Sequence, residues 1–299
     1  MGTDPGARPR LGRWKVKRVS MNRISALLLA CIFTPPLLAA RVQSPSVRFP
    51  ALVSGQQSPV LNHEPVFGVG PHTIWRGGWG MELELESEGG ELVVPVELLY
   101  GVTEELTVTA VLPFRAPLQN GSLGSIGFRV KWRFATIFSP GRADALAVVG
   151  GVTVPRSLAG TPVGGPVITT GLAAGRESRR WYYFAGARAA IQLANEGRNP
   201  GDHVLLNLAW GIRPWLTEYL SPDFVVMVEA NGRRQGRTRV NGQTVDASGG
   251  EVLSLAPAFM LSYRNIMVKG GVDIPVWERW NDPDQSPDVK ILAALEIHW

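Results

Sequence analysis

Val289-Lys290-Ile291-Leu292-Ala293-Ala294-Leu295-Glu296-Ile297-His298-Trp299 is the stretch whose order decides the fold. Val289, Ile291, Ala293, Leu295, Ile297 and Trp299 fall on one side of an extended chain. Lys290, Leu292, Ala294, Glu296 and His298 fall on the other. Side chains that alternate with period two belong to a pleated strand, not to a helix.

The same alternation recurs upstream. In 75–86, Trp75, Trp79, Met81, Leu83 and Leu85 oppose Arg76, Glu82, Glu84 and Glu86. In 128–134, Phe128, Val130, Trp132 and Phe134 oppose Arg129, Lys131 and Arg133. In 204–213, Val204, Leu206, Leu208, Trp210 and Ile212 oppose Asn207 and Arg213. In 266–276, Ile266, Val268, Val272, Ile274 and Val276 oppose Lys269 and Asp273. The pattern predicts twelve strands: 73–87, 91–100, 104–114, 124–138, 143–155, 165–175, 179–194, 203–213, 217–231, 250–263, 265–277 and 288–299.

A soluble sandwich would also alternate, with its polar face in water. Three features favour a membrane barrel instead. The strands run to about 10–14 residues, beyond the globular mode of about 5–6 and enough to cross a bilayer when tilted. Aromatic residues gather near strand ends, as at Trp75, Tyr100, Phe114, Trp181, Trp215, Tyr263, Trp280 and Trp299, where an interfacial girdle would lie. Connections alternate between brief (Gly101–Thr103, Ser139–Arg142, Arg176–Ser178, Pro214–Leu216, Arg264) and mostly longer (115–123, 156–164, 195–202, 232–249, 278–287). Short periplasmic turns and longer external loops are the habit of outer-membrane barrels. The expected fold is therefore all-β: a closed antiparallel up-and-down transmembrane β-barrel of about 12 strands, with both chain ends periplasmic.

The first residues read as an address. Residues 24–33 (ISALLLACIF) form a short apolar run behind Arg23, broken by Pro35-Pro36, with Leu38-Ala39-Ala40 as a cleavage site. The division expected is a signal peptide with an extended basic n-region over 1–40, a flexible periplasmic arm or plug over 41–70, and the barrel over 71–299. Met21 is an alternative start, and Cys31 an alternative lipidation site. Export through the periplasm to the cell outer membrane follows.

The pI of about 9.6 points to no nucleic acid. Residues 1–40 hold seven of the 30 Lys/Arg and one of the 25 acids, leaving 23 bases against 24 acids in the body. The single cysteine excludes an intramolecular disulfide and a cysteine-based metal site.

Tyr100-Gly101-Val102-Thr103-Glu104-Glu105-Leu106-Thr107-Val108, ending in Leu112-Pro113-Phe114, resembles a hairpin of the phenol-degradation MetA-type (transporter-like) outer-membrane β-barrel family. Gly150-Gly151-Val152-Thr153-Val154-Pro155 and Gly270-Gly271-Val272-Asp273-Ile274-Pro275-Val276 look like its later hairpins, and Gly70-Pro71-His72-Thr73-Ile74-Trp75 like the approach to its first strand. The resemblance covers most of 66–299 through short motifs. It implies a barrel and uptake of small, often aromatic compounds, and it brings no catalytic residues. In the turn itself, Gly101 is expected to use its freedom of φ.

If the apolar face meets lipid, the other lines the lumen: Glu82, Glu84, Glu86, Glu97, Arg129, Lys131, Arg133, Arg188, Asn207, Arg213, Glu229, Lys269, Asp273, Lys290, Glu296 and His298. Gly80, Ala174, Gly186, Ala190, Ala209, Ala256, Ala258, Gly271 and Ala294 are expected to leave room for a narrow or plugged passage. Closure brings the first and last strands together, so Lys290 is expected near Glu84 or Glu86. Ile291, Leu295, Ile297 and Trp299 resemble the C-terminal signal read by the barrel-assembly machinery.

No metal or cofactor is expected, because His63, His72, His203 and His298 lack ligand spacing. Asn62-His63-Glu64 is expected to be solvent-exposed. A hydrolase could be built only from His203 with Ser157 or Ser248, and nothing supports it. Arg233, Arg234, Arg237 and Arg239 are expected on an external loop, where lipopolysaccharide is a candidate partner. The leading expectation is passive transport of small solutes, hydrophobic or aromatic ones among them. The alternative is a non-transporting envelope scaffold or metal-efflux accessory barrel.

Overall fold

The structure, a computed structural model, describes residues 63–116, 124–155, 165–216, 221–282 and 286–299. The leader over 1–40, Cys31, most of the arm (41–62) and Ser157 lie outside the described residues.

Fifteen strands are described: β1 Trp79–Glu88, β2 Glu91–Gly101, β3 Leu106–Ala116, β4 Ile126–Ser139, β5 Arg142–Val154, β6 Val167–Ser178, β7 Trp181–Gln192, β8 Arg198–Asn199, β9 His203–Ile212, β10 Asp223–Gln235, β11 Arg239–Val240, β12 Gln243–Thr244, β13 Gly250–Tyr263, β14 Ile266–Trp280 and β15 Lys290–His298. Twelve close an antiparallel barrel in the order β1-β15-β14-β13-β10-β9-β7-β6-β5-β4-β3-β2. The short β8, β11 and β12 form a separate three-stranded sheet in the long connections.

The barrel closes by pairing β1 with β15, from Gly80 opposite His298 to Glu88 opposite Lys290. Backbone bonds between Trp79 and Trp299 continue the ladder at 2.8 and 2.9 Å, so every barrel strand has a neighbour on both sides. Closure removes the unpaired N–H and C=O groups that an open edge would carry.

The alternation maps onto the two faces. Phe128, Leu172, Leu206 and Ile291 are 55%, 59%, 56% and 53% exposed on the outside. Glu229, Lys269, Met267 and His298, at 0–6%, are buried inside. Large apolar side chains thus cover the outer wall, and charge is inside, the inverse of a water-soluble domain.

Several boundaries move. β1 begins at Trp79, not at residue 73. Trp75 precedes the strand, and its ring meets the inward His298 ring edge-on at 5.8 Å. β10 runs from Asp223 to Gln235, so Arg233 and Arg234 belong to a strand and only Arg237 and Arg239 to the connection beyond it. Ala174 faces outward, paired with the exposed Leu146, while its neighbour Ala173 is buried inside. A bulge between Arg133 and Ala135 shifts the β4–β5 register, and farther along β4 the apolar Ile137 and Phe138 are both exposed. Gly101 closes β2 without a left-handed φ. Its need for glycine is steric: a Cβ there would overlap the Trp75 carbonyl oxygen of the arriving chain.

Candidate functional site: a charged lumen crossed by the N-terminal arm

Residues 63–78 run inside the barrel before β1 begins. His63 sits at the short-turn end, its Nδ1 3.4 Å from Glu177 and its Nε2 3.3 Å from Ser262 Oγ and 3.4 Å from Asp223. It is 7% exposed, which corrects the expectation of a solvated histidine. Burial pushes its imidazole pKa down, but the facing carboxylates of Glu177 and Asp223 outweigh this and hold it above its ordinary value. The chain then turns inward, and the N–H groups of Val66 and Phe67 donate to the Glu229 carboxylate at 2.5 and 3.1 Å. It returns past Pro71, which packs on Gly175, and His72, whose Nε2 is 2.5 Å from Glu177. Ile74 N–H donates to Thr107 Oγ1 at 2.8 Å, and Thr73 Oγ1 donates to the Glu104 carbonyl at 2.7 Å.

The small inward residues make this path possible. A Cβ on Gly186 would lie 2.8 Å from Val69, and one on Gly271 would lie 2.7 Å from Phe67. Val66 joins Ala209, Ala258 and Ala294 in a buried apolar cluster with Tyr182, Phe184, Met227, Met260 and Met267. The room expected from these positions is therefore occupied by the arm.

Among the described residues, cavities remain beside the arm, two of which bear on function. The first, of about 340 Å³, lies against β1–β7, β14 and β15 and is lined by Glu82, Glu84, Glu97, Arg129, Lys131, Arg188, Lys269, Glu296 and His298. The second, of about 260 Å³, is lined by Phe67, Arg188, Asn207, Arg233, Asp273 and Lys290 among others. The first falls in the size range of small-molecule sites, about 300–1,000 Å³.

Most of these charges are paired across the wall. Arg129 bonds Glu97, and Lys131 bonds Glu64 of the arm. Lys269 bridges Glu82 and Glu296, the latter at 3.1 Å, and Glu296 also meets His298 Nε2 at 2.6 Å. At the seam, Lys290 Nζ lies 2.7 Å from Glu86 rather than at Glu84. Asp273 accepts from Asn231 at 3.0 Å.

Four of the expected lining residues do other work. Glu229 holds the arm and, like Glu86, borders neither cavity. Arg133 reaches the Glu104 carbonyl at 2.7 Å in the short β2–β3 turn. Arg213 is clamped at the same end, with Nε 2.6 Å from Asp223 and its guanidinium 5.3 Å from the Tyr182 ring centroid. Ile291, Leu295, Ile297 and Trp299 share the outer face, Trp299 being 58% exposed.

Glu64, Glu177, Asp223 and Arg233 were not anticipated in the lumen. Glu177 and Arg233 are in phase with inward neighbours and could have been read by extending each strand two residues. Glu64 could not, because nothing in its local sequence folds the arm back inside. Among the described residues, no group of three His, Cys, Asp or Glu side chains is placed to hold a metal ion.

No protein-family model matches the chain, and no curated protein matches it in sequence. The short-motif resemblance to the phenol-degradation MetA-type family is therefore not confirmed. The fold is similar to the crystal structure of an outer membrane channel from Pseudomonas putida F1, with a TM-score of 0.61 and 10% identity over 80% of this chain and 100% of that one. A weaker likeness is to the NanC porin, with a TM-score of 0.46 and 6% identity over 73% of this chain and 98% of that one.

Proposed function

We propose that this protein is an outer-membrane barrel, exported through the periplasm, that lets small solutes pass passively beside its arm. The observation that carries this reading is the pair of cavities left beside the arm, inside a wall whose outer face suits hydrocarbon. The fold it shares with an outer membrane channel agrees with it. Small hydrophobic or aromatic solutes remain in the reading, as the hairpin resemblance implies, but they would meet charged walls on the way. Lipid and lipopolysaccharide are the surroundings we assign to the outer wall, and the β15 face ending in Trp299 is our candidate for recognition by the assembly machinery. The wall residues serve to hold the arm and balance charge, and we assign them no catalysis.

The full chain reconstituted into planar bilayers tests this. A small, steady single-channel conductance is expected, because the arm narrows a twelve-stranded lumen. Complete absence of conductance would move the assignment to the scaffold or efflux-accessory alternative.

A further inference from the structure

Arg129, Lys131, Lys269 and Lys290 each have a carboxylate partner. Among the described residues, Arg188 and Arg233 line the lumen without a carboxylate partner, and the buried Nε of each lacks a hydrogen-bond partner. Of the two cavities' lining residues, Arg188 is also the one they share.

The wall around it is built for two arginines. A Cβ on Gly171 would lie 2.7 Å from Arg188 Cγ, so glycine there lets the arginine stem lie against the wall. A Cβ on Gly151 would lie 3.2 Å from Arg129 Cγ in the same way. The register runs from Arg129 across Gly151 to Thr169, and from Gly171 to Arg188. Three strand-to-strand steps, about 14 Å across the strands, and a two-residue offset along them separate the two arginine backbones, and long side chains enter that span from both ends. Thr153 and Thr169 add hydroxyl groups beside the first cavity.

An unpaired cation in a largely desolvated wall is unfavourable until an anion meets it. Guanidinium presents a planar fork that matches a carboxylate with two parallel hydrogen bonds. We propose that Arg188 is a binding station for small organic carboxylates where it lines the two cavities, with Arg129, already held by Glu97, as the neighbouring cation. This deepens the channel reading and rests on it for its biological meaning, but the binding itself can be measured without conduction.

The test titrates benzoate, and its neutral counterpart benzyl alcohol, into the full chain in detergent by calorimetry, with conductance measured in parallel. Wild type is expected to bind benzoate in preference to benzyl alcohol, and R188Q to weaken benzoate by about tenfold. R188K keeps the charge and loses the fork, so it should fall between them. Heat-modifiable gel mobility checks that each variant is a folded barrel. Equal binding of benzoate and benzyl alcohol by wild type, or equal benzoate binding by wild type and R188Q, overturns the proposal. Should R188Q fail to fold, the wild-type comparison of the two ligands still decides. Arg188-dependent binding without conductance removes the channel reading and keeps the site, whereas conductance without such binding does the reverse.

Discussion

Glu229 shows how one side chain sets the shape of the lumen. Its carboxylate is fully buried on β10 and accepts the Val66 and Phe67 N–H groups where the arm reaches farthest inside. Replacing it by alanine leaves two buried donors without an acceptor, at about 1–3 kcal/mol each. The wall strands are paired on both sides, so the loss falls on the arm. E229A is expected to raise single-channel conductance and current noise, with E229Q, which keeps one acceptor oxygen, closer to wild type. An E229A channel with unchanged conductance would mean that the arm is held elsewhere. At this scale sequence reading was uneven. Strand phase placed Glu82, Lys269 and Glu296 on one face, but pairing depends on which strands meet, and only the seam partnership could be guessed. His63 was misjudged because its partners, Glu177, Ser262 and Asp223, come from three distant strands.

At the level of the strand, β15 carries the argument. Its outward residues are aliphatic, and its inward ones are Lys290, Leu292, Ala294, Glu296 and His298. If the outward face touches hydrocarbon, L295R should cost about 2–4 kcal/mol, as arginine does near the bilayer midplane of such barrels. Urea denaturation of the barrel in lipid vesicles measures this, and an unchanged midpoint would indicate a face in water. The twelve barrel strands were legible because the alternation has a period of two that no helix can mimic, whereas the two-residue β8, β11 and β12, in segments read as connections, are too short to show a period. Strand ends were less so. Trp75 fits the outward phase of β1, yet the chain turns at Gly77–Gly78 before the ladder begins, and Gly77 adopts a φ of 76° there. Near β10, arginine-rich composition read as loop, whereas Arg233 and Arg234 pair with Val252 and Glu251 in the ladder.

For the whole molecule, the account joins an outward apolar wall to an enclosed charged interior with an arm laid through it. The barrel was readable from alternation and from the rhythm of short and long connections. The arm's path was not, because it depends on contacts with strands far apart in sequence rather than on local pattern. Electrostatics within the lumen follows from closure: with no water on the outer side, the wall's charges can only turn inward and pair across strands. Spin labels placed singly at residues 291 to 296 of β15, in the protein reconstituted into lipid, report collision with oxygen, which concentrates in hydrocarbon. High oxygen accessibility is expected at 291, 293 and 295 and low accessibility at 292, 294 and 296. Uniform accessibility along the strand, or greater access to a water-soluble relaxation agent at the odd positions, would contradict it.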